Sequence, residues 1–327
     1  MSSSNNPLSV SFLTSAPDPA IQASEVASHP LLAVAFGSGP NTTPSYPMAV
    51  PGLRPIDGMP FVEMWRTGEA LSYASRDGFQ IAIGDTLMAG TITLDDSLDA
   101  PFEASTYELY SRFFDLIEGA GFPYLLRVFN YFSGITDTPD GFERYQRFSL
   151  GRHDAFAARA RPVATSPATC AIGCRSGGMT LAFIASKTAG LALENPRQIS
   201  AYSYPERYGP RSPIFSRALL FTHRGTTNFF LSGTASIVGH ETCHAGDAPA
   251  QARETMTNIA AMRAQAVSAG LPHGHAMALR VYLRDAMLLE AVRPAVAAGL
   301  QPGDTVRFVE ADICRRDLLL EIDGASL

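Results

Sequence analysis

Three short segments recur in the same order in the two halves of this chain of 327 residues. The two copies of each segment lie about 140 to 150 residues apart. A similarity that keeps its order along a chain indicates a repeated supersecondary unit, so both halves are expected to adopt the same local fold. The paired segments are Met88-Ala-Gly-Thr91 with Leu231-Ser-Gly-Thr234, Leu126-Arg-Val-Phe129 with Leu279-Arg-Val-Tyr282, and Leu181-Ala-Phe-Ile184 with Leu320-Glu-Ile-Asp323.

The hydrophobic pattern predicts the same sequence of elements in both halves. Alternating apolar residues indicate strands, and apolar residues spaced by three or four indicate helices. The first half predicts two strands within 79–93, a helix over 102–120, a strand over 124–132, a helix over 141–160, and strands over 169–173 and 179–185. The second half predicts strands over 217–222 and 227–237, a helix over 247–268 capped by Asp247, a strand over 278–283, a helix over 285–298, and strands over 305–311 and 318–322.

These elements predict an α+β fold of two βα units whose mixed sheets are packed by helices. We place the first unit at 61–200 and the second at 201–327, which fits the usual domain size. Residues 1–60 are rich in Ser, Pro, Asn and Gly, and we interpret them as an extended arm with one strand that wraps a domain. The alternative is a partly mobile tail.

Composition excludes several classes of protein. A hydrophobic content of 46% argues against disorder, and a net charge of −6 argues against a general nucleic-acid binder. Lys187 is the single lysine among 25 basic residues, and no phosphate-binding glycine motif precedes it. The other basic residues are arginines, whose forked guanidinium groups suit carboxylates.

The cysteines and the chain start predict a cytoplasmic protein. Four cysteines (Cys170, Cys174, Cys243 and Cys314) form neither a disulfide framework nor a zinc ribbon pattern. The first residues lack the basic and apolar regions of a signal peptide, and no apolar run reaches the ~20 residues needed to span a bilayer. We therefore expect reduced thiols and no membrane contact.

A metalloprotease-like string, His240-Glu-Thr-Cys-His244, occurs in the second unit. Two histidines on one helical turn can bind zinc. Here Gly239 precedes the string and Ala245-Gly246 follow it, which favours a loop between a strand and the next helix. We predict no metal site.

Glu321 interrupts the repeat at a chemically interesting point. Its counterpart in the first unit is Ala182, and its neighbours Leu318 to Leu320 and Ile322 are apolar. Burial raises the pKa of a carboxyl group, and an acid that stays protonated near neutral pH can act as a general acid. The alternative is that side chains alternate along the strand and Glu321 faces solvent.

A non-regular segment over 202–217 concentrates three tyrosines, three arginines and three prolines. Arginine forks and phenol hydroxyls suit a small dicarboxylate, and Tyr131 and Arg147 could extend the same wall. The alternative is an interdomain linker packed by its aromatic residues. Gly233, near a strand end, would let a ligand approach the backbone or would serve a bulge.

The second unit resembles the RidA family of enamine/imine deaminases, whose fold is chorismate-mutase-like. The match covers about 120 residues, and it implies that Glu321 lies in the ligand pocket. The arginine with which RidA proteins hold a substrate carboxylate is not found, since Val306 falls near that position. The matching segments are Gly209-Pro-Arg-Ser212, Phe230-Leu-Ser-Gly-Thr234, 246–259, Arg280-Val-Tyr-Leu-Arg-Asp285 and Leu318-Leu-Leu-Glu-Ile-Asp323.

From about Pro60 onward, the whole chain resembles the chorismatases. The segments that carry this resemblance are Asn130-Tyr-Phe-Ser-Gly134, Glu143-Arg-Tyr-Gln-Arg-Phe148, 167–173, 204–213 and Ala311-Asp-Ile-Cys-Arg315 with Glu321. The resemblance implies chorismate as substrate, no cofactor, and Glu321 as the acid that protonates the enolpyruvyl methylene carbon. Our candidates for holding the two carboxylates are Arg147, Arg211, Arg217, Tyr131, Tyr204 and Tyr208.

The resemblance also bears on the product. Aromatising branches of the family carry a cysteine at the Cys314 position and an alanine at the Ala235 position, and both are present here. This predicts 3-hydroxybenzoate and pyruvate, and one such branch also yields 4-hydroxybenzoate. The alternatives are a diol-forming chorismatase and a non-catalytic RidA-like protein that binds a small carboxylate. RidA relatives are trimers, so the sequence allows either a trimer or a monomer.

Overall fold

The computed structural model describes residues 7–14, 28–37, 39, 44–95, 101–139 and 141–327. The N-terminal region contributes β1 (Ser9–Thr14), β2 (His29–Phe36), β3 (Met48–Ala49), β4 (Arg54–Pro55) and β5 (Phe61–Thr67). The first βα unit contains β6 (Ser72–Arg76), β7 (Phe79–Ile83), β8 (Leu87–Leu94), α1 (Phe102–Gly119), β9 (Tyr124–Ser133), α2 (Arg144–Ala158), β10 (Ala168–Cys174) and β11 (Met179–Ser186).

The second unit repeats this order of elements. One short 3-10 helix lies in the first unit, at Val163–Thr165. Three more lie in the second unit, at Ala201–Ser203, Glu206–Tyr208 and Ala286–Leu288. The regular elements are β12 (Leu191–Leu193), β13 (Ala218–His223), β14 (Thr226–Thr234), β15 (Ile237–Val238), β16 (Glu241–Thr242), α3 (Ala248–Ser268), β17 (Met277–Leu283), α4 (Leu289–Gly299), β18 (Thr305–Glu310) and β19 (Leu320–Ser326).

The predicted repeat is confirmed by the strand order. The first sheet runs β10-β9-β11-β8-β7-β6, and the second runs β18-β17-β19-β14-β13-β12 with β4 added beyond β18. In both units one parallel pair, β9 with β10 or β17 with β18, is joined to otherwise antiparallel strands. Ala182 lies opposite Phe129, and Glu321 lies opposite Tyr282, so the two positions are equivalent.

A break in strand register between β14 and β19 is found in the second unit and not between the corresponding strands of the first. Strand β11 pairs with β8 without interruption from Met179 to Ser186. In the second unit, the register between β14 and β19 shifts between Leu231 and Thr234. This β-bulge contains Gly233, and bulges commonly re-aim side chains next to active sites. The two units therefore differ in backbone geometry where Glu321 is found.

The N-terminal region is more regular than the sequence indicated. Instead of one strand, the described part of 1–60 contains four, and our prediction was wrong in this respect. β1, β2 and β3 form a sheet with β5 in the order β1-β5-β2-β3, while β4 pairs with β18. The partners are distant along the chain, which is why local composition pointed to an arm. Residues 1–6, 15–27, 38 and 40–43 lie outside the described part.

The three sheets share one central core. It joins Phe36 and Trp65 of the N-terminal sheet to Phe129 of the first unit and to Phe230 and Tyr282 of the second. A second core packs α1 and α2 on the first sheet, and a third packs α3 and α4 on the second sheet. Each βα unit thus buries one sheet face against its own helices and the other against the remaining sheets.

Several predicted boundaries move by a few residues. α2 begins at Arg144 rather than at 141, after a turn in which the Glu143 N–H donates to Gln146 Oε1 at 3.2 Å. α3 begins as predicted, with Asp247 accepting a hydrogen bond from the Ala250 N–H at 2.9 Å. β14 ends at Thr234 because the bulge turns the chain away, and β19 begins at Leu320.

Candidate active site

A cavity of about 440 Å³ lies between the two βα units. The first unit contributes residues of α2 and of β10, and the second contributes the segment before β13, the end of β14 and the segment that leads into β19. The units touch here directly, since the Thr169 N–H donates to Ser232 Oγ at 2.9 Å. The wall residues used below are Tyr145, Arg152, Cys170, Tyr204, Tyr208, Arg217, Gly233, Ala235, Cys314, Arg315 and Glu321.

Glu321 is the buried carboxylic acid among the residues that line this cavity. Its side chain is buried, with 5% of the residue exposed, so it does not face solvent. Gly233 lies so close that a Cβ atom there would overlap the Glu321 carboxyl group. Burial raises the pKa of Glu321 to about 8, assisted by the negative charge of Asp323 and opposed by Arg127 and Arg217. The carboxyl group is therefore largely protonated at neutral pH.

Two further weak acids surround this carboxyl group. Burial, together with the nearby Glu321 charge, raises the pKa of the Cys314 thiol to about 12. Burial of the Tyr145 hydroxyl raises its pKa well above the ordinary value, and Cys314 and Glu321 add to this effect. Both groups stay protonated at neutral pH, so each can donate a hydrogen bond but cannot act as a base there.

Two buried arginines on the wall have unsatisfied donors. Arg217 donates to the Ile199 carbonyl at 2.8 Å and to the Tyr204 hydroxyl at 2.7 Å. Arg152 donates to the Ile214 carbonyl. Among the described residues, Arg217 Nε and both Nε and Nη2 of Arg152 have no hydrogen-bond partner. Buried donors without acceptors are costly, so these groups are suited to an anionic ligand.

A further arginine of the wall, Arg315, is stacked on aromatic rings. The Arg315 guanidinium carbon lies 4.1 Å from the centroid of Tyr208 and 5.1 Å from that of Tyr204. Arg315 Nη1 donates to the His240 carbonyl at 2.9 Å, and the Tyr208 hydroxyl donates to the same oxygen at 2.7 Å. This stack fixes one side of the cavity in a planar arrangement that suits an unsaturated ring.

Comparison with known proteins identifies the family of this chain. The family model described as "Chorismatase FkbO/Hyg5-like, N-terminal" matches residues 63–185. A chorismatase from Streptomyces rapamycinicus is 39% identical over 274 residues, which are 81% of this chain and 81% of that protein. This chain belongs to the chorismatase family.

Two further relatives extend the comparison. A 3-hydroxybenzoate synthase from Streptomyces hygroscopicus is 33% identical over 282 residues, 82% of each chain. A crystal structure of a chorismatase superposes with a TM-score of 0.86 at 30% identity and covers 98% of this chain and 99% of that one. The chorismatase fold, of mixed α+β class, therefore includes the N-terminal sheet and both βα units of the described residues.

The structure brings six of the nine predicted site residues of this chorismatase together at the cavity. They are Glu321, Cys314, Arg217, Tyr204, Tyr208 and Ala235. The segment over 202–217 is thus a wall of the site as well as a connection between the units.

Three predicted residues lie elsewhere. Arg147 pairs with Glu103 at 3.0 Å, because its position on α2 turns it away from the cavity. Arg211 is exposed on the turn before β13. Tyr131 is fully buried in the central core between the three sheets.

The structure adds residues that the sequence prediction did not include. Arg152 follows Tyr145, Phe148 and Ser149 at helical spacing, so the four residues share one face of α2, and that periodicity was an available signal. Arg315 and Cys170 lie in segments that carried the family resemblance, but only the tertiary contacts show that their side chains line the cavity. Gly233 takes the bulge position that was one of its two interpretations.

The string from His240 to His244 does not lie on a helix. It falls on the ribbon of β15 and β16, where the Arg207 side chain contacts His240 Nδ1 at 2.9 Å and Glu241 Oε1 at 2.9 Å. Within the described residues, no group of three His, Cys, Asp or Glu side chains could hold a metal ion. None of the described helices is long and apolar enough to cross a membrane.

Proposed function

We propose that this protein converts chorismate into 3-hydroxybenzoate and pyruvate. The observation that carries the proposal is a protonated, buried carboxyl group, Glu321, in a cavity whose wall holds unsatisfied guanidinium donors. The relative named 3-hydroxybenzoate synthase supports the choice of product.

The first step is a proton transfer from Glu321. Chorismate is an enolpyruvyl ether, and its methylene carbon accepts a proton to give an oxocarbenium ion. A carboxylic acid with a pKa of about 8 is protonated at neutral pH and is suited to this role. The departing proton leaves a carboxylate beside the developing positive charge, which stabilises the oxocarbenium ion.

Substrate binding is assigned to the buried arginines. Chorismate carries two carboxylates, and we propose that Arg217 and Arg152 bind them through their unpartnered N–H groups. Tyr204 holds the Arg217 guanidinium at 2.7 Å and so orients it. Tyr208 and the Arg315 stacked on it form the wall against the substrate ring.

The second step decides the product. We propose that the ring hydroxyl gives its proton to the Glu321 carboxylate formed in the first step and attacks the ring carbon that bears the ether oxygen. The bond between that carbon and the ether oxygen breaks, pyruvate leaves, and the resulting arene oxide collapses to 3-hydroxybenzoate. The atoms balance without added water, since one chorismate yields one hydroxybenzoate and one pyruvate. Cys314 and Ala235 line the same cavity, where the neutral thiol and the methyl group keep water from the oxocarbenium carbon.

Incubation of the purified protein with chorismate tests the proposal. We expect equal amounts of 3-hydroxybenzoate by chromatography and pyruvate by a lactate-dehydrogenase assay, with one deuterium in the pyruvate methyl group in D₂O. The same chromatogram measures 4-hydroxybenzoate. A dihydrodiol acid as the main product would favour the diol-forming alternative, and binding without turnover would favour a binding protein. A Glu321→Gln variant with full activity would exclude Glu321 as the acid.

We also propose that the protein is a monomer. In the central core the N-terminal sheet packs against both βα sheets, so the sheets of one chain bury their faces against each other. Light scattering should give a mass near 35.0 kDa. A mass three times larger would support a RidA-like trimer instead.

A further inference from the structure

Arg127 belongs to the first unit but binds the second. It lies on β9, and 1% of the residue is exposed. Its Nη1 donates to the Leu231 carbonyl at 2.6 Å, and its Nη2 lies 2.5 Å from Asp323 Oδ2. One guanidinium group therefore connects β14 and β19 from outside their own unit.

Both contacts lie next to the acid. Leu231 is the last residue paired in register before the bulge that contains Gly233. Asp323 follows Glu321 by two residues on β19, so both carboxyl groups point to the same face of the strand. Arg127 thus links β14, which carries Gly233, to β19, which carries Glu321.

We propose that Arg127 is a positioning residue for Glu321, which holds the β14 bulge and Asp323 together and thereby sets where the acid meets the substrate. The inference rests on the proposed function, because it takes Glu321 as the acid. It adds a role for the first unit. That unit has Ala182 at the position equivalent to Glu321, but it supplies Arg127, which orders Glu321 of the second unit.

Comparison of the two units supports this role. Arg280 is the repeat counterpart of Arg127, and it binds Asp323 from within the second unit at 2.9 and 2.8 Å and Glu63 at 2.8 Å. In the first unit, the position of Asp323 is occupied by Ile184 and β8 has no bulge. The second unit therefore has the glutamate, the bulge and the aspartate that pairs with Arg127, and the first unit has none of the three at its equivalent positions.

Arg127 also influences the charge around the acid. Asp323 raises the pKa of Glu321 and Arg127 lowers it, so the two partners of the ion pair act on the acid in opposite directions. Without the guanidinium charge, the Glu321 carboxylate would be harder to form. The titratable and charged groups near Glu321 are Asp323, Arg127, Arg217, Cys314, Tyr145 and Cys170.

The test compares Arg127→Lys and Arg127→Gln with Arg263→Lys. Lysine keeps the charge but cannot bridge both acceptors, whereas glutamine removes the charge. Arg263 is a matched control, because it is also buried, lies 2.6 Å from a carboxylate (Asp304) and donates to a backbone carbonyl (His275). Its partners lie away from β14 and β19, whereas those of Arg127 lie on these two strands. All three substitutions should lower thermal stability.

Activity distinguishes positioning from stability. We expect Arg127→Lys to lower kcat about 100-fold with KM within about threefold, as misplaced catalytic groups do. In Arg263→Lys both constants should stay within about twofold of the wild type. Wild-type kcat and KM in a folded Arg127→Lys protein would overturn the inference.

A spectroscopic measurement keeps the inference independent of turnover. The infrared carbonyl band of protonated Glu321, isolated by subtracting the spectrum of Glu321→Gln, can be followed through pH. Its midpoint should move to higher pH in Arg127→Gln and stay near the wild-type midpoint in Arg127→Lys. An unchanged midpoint in Arg127→Gln would overturn the inference, whereas a wild-type protein that does not consume chorismate would contradict the proposed function alone.

Discussion

Gly233 and Glu321 are packed so closely that no side chain fits between the glycine Cα atom and the glutamate carboxyl group. The backbone of Gly233 does not have a positive φ, so its conformation is open to alanine. The contact with Glu321 is what excludes a larger side chain. The close approach places the carboxyl group against the bulge of β14 and leaves the cavity side free for substrate.

Gly233→Ala should therefore displace the acid. We expect a loss of kcat of about 100-fold, because a shift of about 1 Å at a reacting group has that effect. Gly119→Ala is the control, since nothing lies within 4 Å of its added Cβ atom and its φ is not positive. The control should keep wild-type kinetics, and equal losses in both variants would contradict the assignment.

The activity should decrease in alkaline solution. The reaction needs protonated Glu321, whose pKa is about 8. Hence kcat/KM should be constant from pH 6 to about 7 and fall about tenfold per pH unit well above 8. The measurement is a pH profile of chorismate consumption under first-order conditions, and a rise in activity above pH 8 would contradict a general-acid role.

The same carboxyl group should make the protein less stable as pH rises. In the unfolded chain a glutamate ionises near 4.5, and in the folded protein Glu321 ionises near 8, so between these values the unfolded state binds fewer protons. Unfolding free energy should fall relative to Glu321→Gln by on the order of 4 kcal/mol between pH 4.5 and 8. Urea unfolding of both proteins at pH 5 and pH 8 measures this difference, and parallel pH dependences would exclude it.

Loss of a buried arginine should impair substrate binding. Removing one partner of a buried charge pair costs about 2–5 kcal/mol, so Arg217→Ala and Arg152→Ala should each lower kcat/KM by about 30-fold or more. Arg211→Ala is the control, because Arg211 is exposed and does not line the cavity. If Arg211→Ala were as damaging as Arg217→Ala, our choice of carboxylate ligands would be wrong.

The product should change when water can enter near the oxocarbenium carbon. We expect Cys314→Ala combined with Ala235→Gly to lower the share of hydroxybenzoate and to produce the dihydrodiol acid, as measured by chromatography. Cys243→Ala is the matched control, since this half-buried thiol does not line the cavity. An unchanged product mixture in the double variant would count against the role given to these two residues.

The sequence by itself determined the repeated architecture and singled out Glu321 as a candidate. Order and spacing of the three paired segments predicted that the same order of elements occurs twice along the chain, because strand and helix patterns depend on residues close along the chain. Glu321 stood out because an ionisable residue interrupts an apolar strand whose repeat counterpart is Ala182. Neither inference required contacts between distant residues.

Only the tertiary structure decided which cations surround that acid and how the N-terminal region folds. Arg147 and Arg211 lie in the right segments but point elsewhere, while Arg152, Arg315 and Arg127 reach Glu321's surroundings from three different elements. β2 likewise finds its partner β5 across a long stretch of chain. The direction of a side chain at an interface depends on how two distant segments pack, and local sequence patterns do not encode that packing.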